Sequence, residues 1–114
     1  MAYPQEQIDE LRALVAGVME ASEGGATYFL LPGLLLPEGC APAAVDALLC
    51  PTTHNSYPTR LFVAQQITPP TPRGLGWSQA RILDRVWHVL SWRVDGGPQL
   101  RLVQMVAEHL RAFR

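Results

Sequence analysis

The chain contains no lysine. All nine basic residues are arginines, scattered over 114 positions. The absence removes any side-chain amine for Schiff-base chemistry. Isolated arginines in a chain of net charge −1 also lay down no basic footprint for nucleic acid. Cysteine is scarce: Cys40 and Cys50 are the only two, which fits a reducing compartment with both thiols free. No apolar run is long enough to cross a bilayer. The densest, Tyr28–Leu31, is interrupted by Pro32-Gly33 before Leu34–Leu36 resumes. The first residues bring Pro, Gln, Glu and Asp where a signal peptide would place a basic leader and an apolar stretch. A cytoplasmic protein without a membrane or nucleic-acid partner is expected. Phosphate-binding glycine loops and paired carboxylates for hydrolysis are missing too, and no cofactor is predicted.

What is present is apolar. Hydrophobic residues make up 48% of the chain and charged residues 17%, so it is globular, and its length suits one domain over 1–114. Ile8, Leu11, Leu14, Val15, Val18 and Met19 recur at helical spacing and predict a helix over Pro4–Glu23, ended by Gly24-Gly25. Thr27–Leu31 is rich in β-formers and reads as a strand, followed by a turn or bulge at Pro32-Gly33 and a short strand at Leu34–Leu36. Pro37–Pro42 is a loop. Ala44–Cys50 reads as a strand stopped by Pro51, Thr52–Ser56 as a turn, and Leu61 to about Gln66 as another strand. Ile67–Gly76 holds three prolines and two glycines and is an irregular crossing.

Ser78–Val94 fits two patterns. Ile82, Leu83, Val86, Trp87 and Leu90 form a helical face, while Arg85–Val94 also alternates like a strand; a helix is expected for the first part. After Gly96-Gly97-Pro98 the stripe Leu100, Val103, Val106, Leu110 and Phe113 predicts a helix over Gln99–Arg114. The expected fold is α+β: an N-terminal helix, a four-stranded antiparallel meander, an irregular crossing and a C-terminal helix.

Particular motifs stand out in that order: LLLPEG at Leu34–Gly39, DALLCP at Asp46–Pro51, YPTRLFV at Tyr57–Val63, Trp87-His88, and WRVDG at Trp92–Gly96 ahead of an amphipathic helix. Together, over roughly residues 27–114, they resemble the ubiquitin-conjugating fold, and more closely its small bacterial branch, the prokaryotic conjugating-enzyme-like proteins of family E. The resemblance implies a place in a bacterial ubiquitin-like modification pathway. Its partners would be a ubiquitin-like protein and an activating enzyme, with a metallopeptidase nearby and a link to antiphage defence. It also implies that the first helix is the docking face for the activating enzyme, with Arg12, Glu6 and Glu10 as exposed charges.

One departure bears on chemistry. Conjugating enzymes carry the nucleophilic cysteine beyond the Tyr-Pro, after a His-Pro-Asn element; here no cysteine follows Cys50 and no His-Pro-Asn occurs. Thioester exchange needs a thiolate, so a binding or adaptor role is expected. The alternatives are a transfer enzyme with an unusual nucleophile (Cys40, Cys50 or Ser78) and an unrelated small binding or oligomerisation module. Cys50 reads as a buried thiol, and Cys40, in EGCAP, as an exposed one beside Glu38. His88, between Trp87 and Trp92, is the best placed general base and otherwise a structural histidine. His54 fits a loop cap in THNSYP, and His109 a surface or half-buried helix position. Cys50 and His54 with Cys40 fall short of four ligands at regular zinc spacing, so no metal is predicted. Trp77, Trp87 and Trp92 are core residues or, for Trp87 and Trp92, an aromatic patch for a partner.

Overall fold

The computed structural model describes residues 3–71, 74–96 and 99–114. Helix α1 covers Gln5–Leu14, about half of the stretch expected. Pro4 stands at its N-cap, and the Pro4 carbonyl accepts the amides of Gln7 at 3.0 Å and Ile8 at 3.3 Å. The helix stops because Val15 turns extended and Gly17 lies against Pro32, where a Cβ would stand 2.9 Å from the proline Cγ. Val15 and Val18 still reach the core, but Leu14 and Met19 are exposed. Met19–Glu23 is strand β1, held antiparallel to β2 in the register Glu20↔Phe29 and Ala21↔Tyr28. Gly24 and Gly25 therefore do not end a helix. They form the two-residue turn of a hairpin, with φ of 60° and 82° at the two positions where a type I′ turn needs positive values.

Strand β2 runs unbroken from Ala26 to Leu35. The expected short strand Leu34–Leu36 is its second half, separated by a bulge between Leu31 and Leu34. The bulge changes the phase of the alternation. Phe29 and Leu31 face one core before it and Leu34 faces the same core after it, which strict alternation would forbid. Strand β3 occupies Ala44–Cys50 as predicted, and β4 covers Arg60–Val63, ending three residues sooner than expected. The described part of 67–76 is irregular apart from an Ala41↔Thr68 bridge.

The larger difference lies in 77–90. No helix forms there: Trp77–Ile82 and Arg85–Leu90 are strands β5 and β6 of a hairpin. Its turn, Leu83-Asp84, has φ of 54° and 60°. Neither residue announces such a turn in the sequence, because Leu is poorly suited to positive φ. The sheet thus has six strands, in the order β1-β2-β3-β4-β6-β5, all antiparallel. Helix α2 spans Leu102–Leu110 and ends in a 3-10 turn at Arg111–Phe113. Gly97 and Pro98, expected to open that helix, lie outside the described residues. The Gln7 side chain of α1 accepts the Leu102 amide at 3.1 Å, and Gln104 accepts that of Arg101 at 2.8 Å, so α1 helps to cap α2.

Both faces of the sheet are dry. One carries Phe29, Leu31, Val45, Leu49, Leu61 and Val63 under α1 and α2, which add Leu11, Leu102, Met105 and Val106. The buried face of α2 is thus Leu102, Met105, Val106 and His109, rotated from the predicted stripe. The opposite face buries Tyr28, Leu48, Cys50, Phe62, Ile82, Trp87 and Val89 with no helix over them. Curling of the sheet closes this second core. Trp87 fills it and donates its indole N–H to the Ile82 carbonyl. Arg85 lies 4.4 Å over the Trp87 ring. The tips of the two hairpins meet where the Leu83 amide donates to the Glu23 carboxylate at 2.6 Å.

Asp46 ties the bulge into this arrangement. Its Oδ1 accepts the Gly33 amide at 2.9 Å and its Oδ2 accepts Arg85 at 3.3 Å. Asp46→Ala removes the acceptor for Gly33 and is expected to cost about 1 kcal/mol. Asp46→Asn keeps an oxygen there and loses an exposed ion pair, worth ~0.5 kcal/mol or less. Urea denaturation of the two variants measures the difference, and equal losses would show that the Gly33 contact contributes nothing.

Candidate functional site

The polar residues that are buried in this chain gather at one corner, where β4 begins, β6 ends and α2 comes down. Thr59, Arg60 and His109 are the buried polar or charged residues among those described. Thr59 precedes β4 and donates its hydroxyl to the Cys50 carbonyl at 2.7 Å. With that proton used, its oxygen accepts from His109 Nε2 at 3.4 Å. Arg60 donates from Nη2 to the Leu90 carbonyl at 2.9 Å, and its guanidinium lies 4.1 Å over the Tyr57 ring. The Tyr-Pro element is therefore a platform for a buried cation. Its own loop is a tight turn: His54 and Tyr57 bridge through Asn55 and Ser56, with φ of 49° and 70°. Trp77 stacks on Phe113 with ring centroids 6.0 Å apart, and Trp92 donates to the Glu108 carbonyl at 3.1 Å.

Neither thiol is arranged as a nucleophile. Cys40, expected to be exposed, is 8% exposed and donates to the Phe113 carbonyl at 3.3 Å. The 3-10 turn after α2 covers the loop that carries it. Cys50 is 1% exposed and donates to the Thr52 carbonyl at 3.4 Å. Burial pushes both thiols above their usual pKa. For Cys50, hydrogen bonds to Thr52 and the nearby Arg60 cation work in the other direction. A raised pKa lowers the thiolate fraction that thioester exchange requires. The two cysteines serve different cores on opposite faces of the sheet, and both are free.

The other predicted residues disperse. His88 pairs with Val63 and Gln79 across the sheet, half-buried, with Trp77 edge-on at 6.4 Å and its Nδ1 buried without a partner. No nucleophile contacts it among the described residues. Ser78 is exposed on the outer strand β5 with no base beside it among those residues. His54 packs edge-on against Phe62 at 5.2 Å, away from the Cys50 thiol's hydrogen bond. Trp87, expected at a partner surface, is 1% exposed and cannot be reached by one. Trp92 is 36% exposed and remains accessible. Arg12 is exposed on α1, 3.6 Å from Asp9. Glu6 and Glu10 are held by Arg101 at 3.3 and 3.0 Å and belong to the α1–α2 joint.

Sequence reading passed over Arg60 and Thr59 because the strand was begun at Leu61. A signal was available: an arginine directly ahead of Leu-Phe-Val takes an inward or outward place by alternation, and Tyr-Pro just before it offers an aromatic face. His109 was placed at or near the surface, since its neighbours Glu108 and Arg111 are polar. It is buried because the apolar face of α2 runs through 102, 105, 106 and 109.

No known protein family, curated protein or solved structure matches this chain.

Burial, with the Arg60 charge in support, lowers the His109 pKa from 6.5 to about 4. The unfolded chain then takes up this proton first, so His109's contribution to stability is full above pH 6.5 and drains away as pH falls toward 4. The loss between pH 7.5 and pH 4.5 is about 2.5 kcal/mol. Urea titrations at the two pH values are expected to show that much more acid sensitivity in the natural chain than in His109→Gln. Equal pH slopes in the two would remove the imidazole as the cause.

Proposed function

We propose that this chain is a non-catalytic, ubiquitin-conjugating-enzyme-like component of a bacterial ubiquitin-like modification pathway, which binds the modifier or its activating enzyme and does not carry the modifier covalently. The state of the thiols is the observation that carries the reading. Cys40 and Cys50 are the only cysteines, and both are buried, hydrogen-bonded to carbonyls and raised in pKa. A chain built this way has no exposed thiolate to accept a modifier. The sequence motifs that resemble the conjugating fold keep a consistent arrangement: a helix, the meander β1–β4, and a proline-rich crossing after the Tyr-Pro strand.

The outer side of the helix pair supports a binding role. Arg12 is exposed on α1, and next to it Ala13 and Leu14 line an apolar groove with Val103, Ala107 and Leu110 of α2. A cation beside exposed apolar side chains is a common basis for a protein contact. The activating enzyme is the partner assigned to this face. A cytoplasmic setting, a neighbouring metallopeptidase and a part in antiphage defence belong to the same reading, and they rest on the resemblance alone.

Incubation with a cognate activating enzyme, the modifier and ATP, followed by a non-reducing gel, is expected to yield co-purification without a thiol-sensitive adduct. An adduct abolished by Cys40→Ala or Cys50→Ala would overturn the reading. Arg12→Glu is expected to weaken binding to the activating enzyme about tenfold, or ~1.4 kcal/mol, while leaving the melting temperature unchanged.

A further inference from the structure

Arg60 is a buried cation without an anion. It is 5% exposed. Its polar partners are the Leu90 carbonyl and the face of Tyr57, and its Nε is buried with no acceptor. All ten acidic residues of the chain lie among the described residues, and their ion pairs go to Arg12, Arg81, Arg85, Arg93, Arg101 and Arg111. The nearby titratable groups bring no negative charge either. His109 is neutral at pH 7, and the Cys50 thiol stays protonated. A guanidinium remains charged throughout the physiological range, and a buried charge is costly unless something opposite pairs with it.

A cavity opens beside this arginine, lined by Arg60, Leu61, Trp77, Trp92, His109 and Phe113 among others. Its volume is ≈ 10 Å³, enough for one particle about the size of a water molecule. A water could accept from Nε but would leave the charge unmatched. A monatomic anion answers both needs. Sulfate, phosphate or a peptide carboxylate is too large to enter without the walls moving apart. Trp92, at the surface, forms the outer wall and gives a route in.

We propose that Arg60 and this cavity form a binding site for one small monovalent anion of the halide class, chloride being its ordinary occupant. The site is independent of the modification pathway and of either thiol.

Trp77 and Trp92 report on it, because bromide quenches indole fluorescence on contact. The full-length protein is titrated with sodium bromide at constant ionic strength, balanced with sodium sulfate. The expected result is a saturable quenching component that chloride reverses and sulfate does not, lying on top of the linear quenching of exposed indole. Arg60→Met, which keeps the length of the side chain and removes the charge, is expected to lose the saturable component, with affinity falling at least tenfold. Should that variant fail to fold, the chlorine-35 NMR linewidth of the natural protein decides. Excess broadening that bromide competes away supports the site. Linear quenching without chloride competition, or broadening that bromide leaves unchanged, shows a water-filled cavity and overturns the proposal. Equal competition by sulfate overturns the size limit and with it the halide assignment.

Discussion

A single sheet has two faces, and two short helices can cover only one of them. That constraint governs this molecule. Strands β2, β3 and β4 are apolar on both sides, so the face away from the helices has to be closed by the sheet itself. It closes by curling around Trp87, with Arg85 laid over the indole and the hairpin tips joined through Glu23 and Leu83. Much of the polar bonding follows from the same demand. The Gly33 amide at the bulge, the Leu90 carbonyl and the Cys50 carbonyl are each met by a side chain: Asp46, Arg60 and Thr59. The cost of leaving such groups unpaired decides where these three side chains go.

The parts of the fold that show in the sequence are those with strong local patterns. The strand Ala44–Cys50, the bulge at Pro32-Gly33, the irregular crossing and the C-terminal helix all carry their own signals in apolar runs, proline and helical spacing. The α+β class follows from them. Two stretches go against their local pattern for tertiary reasons. Met19–Glu23 has little strand character and is recruited by its neighbour β2. Ile82–Leu90 has a helical stripe, yet its Leu83-Asp84 turn and the vacant second core draw Trp87 and Val89 to one side of a strand. Both errors trace to that second core, which no short window of sequence can reveal.

The candidate site was less legible. The inertness of Cys50 could be read from VDALLC, whereas Cys40 is buried by a C-terminal turn 73 residues away. The burial of Trp87 depends on curvature of the whole sheet. Arg60 escaped notice because a lone arginine is usually a surface residue. Its meaning emerges only when β6 supplies the Leu90 carbonyl and α2 supplies His109. A chain without lysine also offers no side-chain amine to which a ubiquitin-like modifier could be attached. Under the proposed function it would take part in modification without becoming a target through its own side chains.

The order in which the faces are finished matters during synthesis. The hairpin β5–β6 and helix α2 lie in residues 77–114, a third of the chain, and they complete the second core and the first core respectively. Strands β2 to β4 therefore leave the ribosome with Leu48 and Phe62 uncovered on one side and most of Leu49 and Val63 uncovered on the other. Such a bare sheet is prone to stick to others like it until the last third arrives. Folding of this protein is in consequence a post-translational event, and a chain truncated before α2 would be expected to aggregate, with no stable smaller domain to fall back on.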